Sequence, residues 1–410
     1  MKKSVLFITL SFLITSCSLS TPPYEGRFTL PITMAATKKE KEAILSIVNK
    51  YNNNHLDKID VEIDVKDYFY KDKNTQVLED LLSYSLISTN LISLTDVIYN
   101  NLSSEIDPIY IDSIRENYLY AVKEHSINNN INGFPYSTQP FVVLYYDPSI
   151  YDQNDIKSLE TMLRKAEENN KYIVFPVNNS LINSSLFMGD NALGPDSVSY
   201  NKDEEGNVVY NTNWDNEKGV EMCSYLSKML SSYYKKSIID PSTYTVFNSD
   251  DNISAYIGLS ITYDEVINYH PSFKVAVLPS FQINNVSYQM SSIAVSRGFV
   301  VNNSKTKEEQ SSAMALGSLL TTSESQLELF KVTNLTPSNT NATKSKDFMD
   351  NASELQIVLA EQSLNSFSET MHFEDKFYTV LESIGNHILL NDISDWSSFL
   401  KNQMDALRSK

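Results

Sequence analysis

Amides, hydroxyls, a guanidinium and aromatic rings recur where strand-like runs of this sequence end. Such groups hold a small polar molecule without breaking a bond in it. In chain order they are Thr37, Thr95 and Asp96; Tyr136, Ser137 and Gln139; Asn178, Asn179 and Ser180; Ser260, Thr262 and Tyr263; Ser296 and Arg297; and His372 and Phe373. Open α/β sheets bind ligands beyond the carboxyl ends of their strands, which is where these residues fall. Several have a structural alternative. Asp96 and the Asn178-Asn179 pair suit helix caps, and Gln139 suits a hinge residue bonded to backbone. Tyr263 is one of 25 tyrosines, Arg297 can pair with a structural carboxylate, and His372 can serve packing alone. Bond-breaking chemistry has less to stand on. There is no Gly-x-Ser-x-Gly elbow, His-Glu-x-x-His helix or glycine-rich phosphate loop. With 51 acidic residues, carboxylate pairs arise by chance and do not argue for a glycosidase. The acidic stretch Asn201 to Tyr210 lacks calcium-loop spacing and reads as a solvated hairpin. No zinc pattern is present, and nothing calls for a cofactor.

These groups need a scaffold, and its centre is Gly133 to Pro148. Phe141 to Tyr146 is an unbroken apolar run that predicts a strand buried on both faces. Before it, Pro135 and Pro140 confine the chain to a sheet edge or an irregular path. A buried strand entered that way suits a crossing between two domains, and 410 residues are enough for two cores. Around it β and α patterns alternate. Phe28–Ile32 predicts a strand and Thr37-x-x-Glu40 a capping box. Ile44, Ile47, Val48 and Tyr51 predict a helix, and Ile59, Val61, Ile63 and Val65 a second strand, together a right-handed β-α-β unit. Further strands are expected at Asn90–Leu94, Tyr172–Phe175, Ser254–Ser260, Phe273–Leu278 and Ser291–Val301. Helices are expected near Val77–Leu82, Ile111–Glu124, Leu159–Ala166, around Cys223, at Lys307–Leu320 and Ser323–Phe330, and through the tail to Trp396–Leu407. Cys223 lies on an apolar helix face and reads as inert core.

The first residues are a targeting segment. Lys2 and Lys3 precede Val5 to Ile14, an apolar run too short to span a bilayer. Leu13-Ile14-Thr15-Ser16-Cys17 resembles a bacterial lipobox, which implies cleavage before Cys17 and its lipidation; several acyl chains anchor stably. Ser18 to Arg27 then reads as a tether. The net charge is −18, and −20 once Lys2 and Lys3 are removed. So acidic a surface repels nucleic acid and anionic membrane.

Several segments together resemble the solute-binding proteins of bacterial ABC importers, within the carbohydrate-type cluster of maltodextrin-, multiple-sugar- and glycerophosphate-binding proteins. Phe134-Pro135-Tyr136 through Leu144-Tyr145-Tyr146-Asp147 resembles the family's first interlobe crossing. Val275-Ala276-Val277-Leu278-Pro279 resembles its Val-x-x-Leu-Pro strand, Ser292–Val301 its returning strand, Leu319-Leu320-Thr321 its late helix pair, and Leu335-Thr336-Pro337 its late turn. The usual paired glycines of the returning strand are Ala294-Val295 here, and Asn334 replaces the late glycine. Trp214 and Trp396, the two tryptophans, fall outside cleft segments, which argues against a long glucan ligand.

The resemblance implies an α/β fold of the two-lobed periplasmic-binding-protein kind (class II-like), each lobe a mainly parallel sheet flanked by helices, with a helical C-terminal tail. The implied division is residues 1–16 signal peptide, 17–27 tether, 28–137 with 296–340 lobe 1, and 138–295 with 341–410 lobe 2. It also implies that the residues named first contact ligand, Gln139, Tyr263, Asp96 and Arg297 foremost. The function implied is a lipid-anchored, extracytoplasmic monomer that captures a small sugar in the cleft and delivers it to permease subunits. A glycerophosphate-type ligand, a peptide, a cell-surface glycoside hydrolase and an adhesive lipoprotein are the alternatives. Arg297 and the helix start near Thr37 are the groups that suit a phosphate.

Overall fold

Ile32–Ala36 (β1), Lys38–Asn54 (α1) and Val61–Val65 (β2) form the expected unit, with β1 and β2 parallel. The structure, a computed structural model, describes residues 22–67, 75–92, 94, 97, 102–127, 130–202, 208–233, 238–239, 252–368 and 375–409. Thr37 caps α1 through the reciprocal box with Glu40, and Ile44, Ile47, Val48 and Tyr51 are buried. β1 begins where the expected strand ends. Phe28 is drawn onto Tyr51, ring centroids 5.2 Å apart, while the N–H groups of Thr29 and Leu30 donate to Ser312 Oγ. Ile32, Met34 and Ala36 pack on the α1 side and Ala35 on the other, so β1 is buried on both faces.

Leu86–Ser88 (β3) pairs in parallel with β1. The strand expected at Asn90–Leu94 is displaced: Leu91 N–H closes a turn onto Ser88 O. The helix expected over Ile111–Glu124 divides into Ile111–Ile114 and Leu119–Glu124. Asn117 Nδ2 bonds Ile114 O and Tyr118 N–H bonds Ser338 O, which turns the chain between them.

The crossing is Gly133–Pro140 (β4) and Val142–Tyr146 (β5). β4 takes the sheet-edge path, one of the two expected, and is a strand with one irregularity in its pairing with the returning strand. Its other side meets Pro337 and Thr336 in isolated bonds, an edge position that tolerates Pro135 and Pro140. β5 is buried on both faces, with Val142, Leu144 and Tyr146 in one cluster and Val143 and Tyr145 in another.

The second sheet is completed by Tyr172–Val174 (β6), Ile238–Ile239 (β7), Ile253–Leu259 (β8) and Lys274–Ala276 (β9), in the order β7-β6-β8-β5-β9. Ser292–Val301 (β10) returns to the first sheet and Ser366–Ser368 (β11) joins it, in the order β11-β10-β3-β1-β2 with β4 also on β10. Pairs β1/β2, β1/β3, β6/β7, β6/β8 and β10/β11 are parallel. Every pair of β5 and the β10 pairs with β3 and β4 are antiparallel, because these strands carry the chain between the lobes. The sheets are therefore mixed where mainly parallel ones were expected. The lobes are two, each with its own core.

Helices Leu159–Glu168 (α2), Ser180–Phe187 (α3), Glu217–Tyr233 (α4), Asp375–Leu390 and Trp396–Arg408 cover the second sheet. Lys307–Thr321 and Ser323–Thr333 join α1 over the first. Cys223 is buried on α4, and burial pushes its thiol up. Trp214 and Trp396 lie in the second core. Asn334 ends Ser323–Thr333 at φ 65°, a left-handed position that asparagine tolerates and glycine commonly fills. Val198–Lys202 and Val208–Thr212 pair as the expected hairpin. Among the described residues no helix is long and apolar enough to cross a membrane.

Candidate functional site

At the carboxyl edge of the first sheet stands one carboxylate, Glu40, which has no exposed surface. Its Oε2 accepts from Thr37 N and Thr37 Oγ1, both at 2.8 Å. Its Oε1 accepts from Ser88 Oγ at 2.7 Å, Tyr136 OH at 2.8 Å and Asn90 Nδ2 at 2.9 Å. Asn90 Nδ2 also donates to Tyr136 OH at 2.7 Å. The carboxylate thus joins the α1 start, the β3 end and the crossing strand. Such dense donation is what a buried charge requires. The ladder between β4 and β10 slips at Tyr136, since Ser137 faces Arg297 and Pro135 faces Gly298. A bulge of this kind re-aims a side chain. Tyr136 is stacked on Phe299, centroids 5.0 Å apart, with its hydroxyl on Glu40. Burial and the Glu40 charge raise its phenol far above the usual range.

Beside this network the half-buried Arg297 reaches Thr89 O with Nη1, at a long 3.4 Å. Gln139, half-buried, pairs with Val295 on the edge strand. Where the chain leaves β4, Ser260 grips it: its Oγ donates to Pro140 O at 2.8 Å and its N–H to Phe141 O at 2.7 Å. The next turn brings Thr262 Oγ1 onto Leu259 O at 2.7 Å and tilts the Tyr263 ring over Tyr145, centroids 6.4 Å apart. Burial, then Glu354 and Asp264, raise the Tyr263 phenol, so it remains a neutral donor and acceptor.

The predicted residues therefore divide. Tyr136, Ser137, Ser260 and Ser296 are buried in the scaffold; Ser296 Oγ donates to Ser137 O and its N–H to Glu124 Oε2. Ser180 is buried too, with Oγ 3.4 Å from Glu382 Oε1. Asn179 caps α3, accepting from Leu181 N and Ile182 N, and Asn178 is half-buried beside it. Thr37, Gln139, Asn178, Asn179, Thr262, Tyr263 and Arg297 retain exposed surface. Thr95, Asp96, His372, Phe373 and Cys17 lie outside the described residues. Glu40 and Asn90 were missed: the capping box marks Glu40, but its partners across the lobe leave no local signal. Among the described residues no cluster of three His, Cys, Asp or Glu side chains is placed to hold a metal ion.

A family model of bacterial extracellular solute-binding proteins matches residues 46–355. The chain belongs to this family. No curated protein sequence matches the solute-binding protein significantly. Solved structures share its fold. The maltose-binding periplasmic protein MalE from Listeria monocytogenes, in complex with maltose, superposes with a TM-score of 0.67 at 16% identity, over 92% of this chain and 97% of the other. The maltodextrin-binding protein MalE1 from L. casei BL23, without ligand, gives 0.66 at 15%, over 93% and 99%. A solute-binding protein from Staphylococcus aureus in complex with maltose gives 0.65 at 12%, over 92% and 96%. The crossing and returning strands therefore belong to a two-lobed solute-binding fold. Membership of an extracellular solute-binding family places the protein outside the cytoplasm.

Proposed function

We propose that this solute-binding protein captures a small neutral carbohydrate between its lobes and delivers it to the permease of an ABC importer, with no chemistry on the ligand. The observation that carries this reading is the filled start of α1. The N–H groups and positive end of that helix would suit a phosphate, but the buried Glu40 carboxylate lies at this end, held by the N–H and hydroxyl of Thr37 and by Ser88, Asn90 and Tyr136. A second anion would meet a buried negative charge. The sugars named for the similar structures support the same ligand class. Gln139, Thr262, Tyr263 and Arg297 supply planar amide, hydroxyl, ring and guanidinium groups for a polyol. Asp96, Thr95, His372 and Phe373 are assigned to the same site by sequence. Lobe 1 is taken as residues 28–137 with 296–340 and lobe 2 as 138–295 with 341–410. The protein acts as a monomer anchored through lipidated Cys17. Closure follows from better ligand contacts in the closed state.

Arg297 favours a second reading, a glycerophosphate-type ligand. Thermal unfolding with each ligand class decides between them. A ligand at 100 times its dissociation constant stabilises by about 2.7 kcal/mol. A neutral mono- or oligosaccharide is expected to raise the melting temperature and glycerophosphates to leave it unchanged. A shift with a phosphate ester alone, abolished by Arg297→Ala, would establish the second reading.

A further inference from the structure

The turn that follows β8 presents an apolar side chain at the binding edge. β8 ends at Leu259, which pairs with Val142 at the start of β5. The Ser260–Thr262 turn therefore stands at the carboxyl edge of the second sheet, beside the crossing. Two of its three side chains are turned inward. Ser260 Oγ donates to Pro140 O at 2.8 Å and its N–H to Phe141 O at 2.7 Å, while Thr262 Oγ1 donates to Leu259 O at 2.7 Å. A single tight turn spreads successive side chains around its axis. The remaining one, Ile261, points outward and is 74% exposed. Its exposure belongs to a backbone pinned on both sides by hydrogen bonds. Leu259, Tyr263 and Phe141, each half-buried, border the turn.

An exposed isoleucine elsewhere on a surface would need no explanation. This one stands where strands of an α/β sheet end and ligands bind. The planar polar groups assigned to the site come from other elements, Gln139 from β4 and Arg297 from β10. The site thus has a polar side, on the crossing and returning strands, and an apolar side at the β8 turn. We propose that the bound sugar is a deoxy sugar, with a methyl group where an ordinary hexose carries a hydroxymethyl, and that Ile261 is the residue that selects it. The inference rests on the carbohydrate reading and narrows it. A flat sugar face is best covered by a flat aromatic ring, whereas a branched aliphatic side chain matches a methyl group. A hydroxymethyl in that place would exchange water for an aliphatic surface. The hydroxyl hydrogens of Ser260 and Thr262 are already committed to backbone carbonyls. A methyl group gives up no hydrogen bond and buries apolar area as the lobes close.

Calorimetric titration of the purified protein with sugar pairs that differ only at that carbon is the test. The pairs are L-rhamnose and L-mannose, L-fucose and L-galactose, and D-quinovose and D-glucose, with maltose as an unsubstituted oligosaccharide. In the pair that binds, the deoxy member is expected to bind about tenfold or more tightly, the discrimination one such group gives in an apolar subsite. Ile261→Ser is expected to bring the ratio close to one and Ile261→Val to keep it. Because the side chain is exposed, unchanged melting temperatures without ligand check that both variants are folded. A parent hexose or maltose that binds as tightly as every deoxy sugar, or a ratio that survives Ile261→Ser, overturns the inference and leaves the carbohydrate reading standing. Heat from none of these sugars overturns the inference, and heat from a glycerophosphate under the same conditions overturns the reading beneath it.

Discussion

Glu40 concentrates in one side chain what the site asks of the fold. It caps its own helix, takes the hydroxyl of Ser88 from β3, and fixes Tyr136 of the crossing. Removing it strands the buried hydroxyls of Ser88 and Tyr136, and each such group costs about 1–3 kcal/mol. Glu40→Ala is expected to destabilise the protein by about 3 kcal/mol or more in urea denaturation. A loss below about 0.5 kcal/mol, the range of ordinary surface substitutions, would mean the network does not hold the lobe. The sequence announces only half of this residue. Thr37-x-x-Glu40 is a local pattern and is legible, whereas the bond to Tyr136 joins residues 96 apart. For the same reason Tyr136, a plausible ligand platform by type and position, is spent inside.

At the scale of elements, the crossing and return strands were legible and their surroundings less so. Phe141–Tyr146 reads as a strand buried on both faces; Val142–Tyr146 is one, and Phe141 stands half-buried before it. Phe28–Ile32 has the composition of a strand, but contacts on Tyr51 and Ser312 claim Phe28 to Leu30, and the less β-prone Met34-Ala35-Ala36 completes β1 instead. The pairing of β4 with β10 depends on a wedge no motif reveals. His125 is buried against both strands: a Cβ at Gly298 would come within 2.4 Å of its Nε2, and one at Gly133 within 2.7 Å of its Cδ2. His125 Nδ1 is 3.0 Å from Ala121 O. Burial, aided by the charge of Arg297 and opposed by the Ala121 bond, lowers the imidazole to about 4. The unfolded chain takes up that proton near pH 6.5 and the folded protein only near 4. Stability attributable to His125 is therefore complete above pH 6.5 and falls as pH drops to 4, by about 3 kcal/mol. Denaturation midpoints between pH 7 and 4 should show this slope. His125→Gln should flatten it; an unchanged slope would place the titrating group elsewhere.

The whole molecule is two lobes sharing one backbone, joined where β4 passes into β5 and where β10 returns. The alternation of β and α, the paired prolines and the aromatic run suffice to read this. Ligand identity is not written the same way, because recognition depends on which polar groups remain after the scaffold has used the others. Ser137, Ser260 and Ser296 are used; Gln139, Tyr263 and Arg297 keep exposed surface. Calorimetric titration of the purified protein with neutral oligosaccharides and with glycerophosphates tests the central claim most directly. At least one neutral sugar is expected to bind, with Gln139→Ala and Tyr263→Ala each weakening it tenfold or more, about 1.4 kcal/mol. Heat from a phosphate ester and none from any sugar, or sugar binding indifferent to both substitutions, would contradict the account.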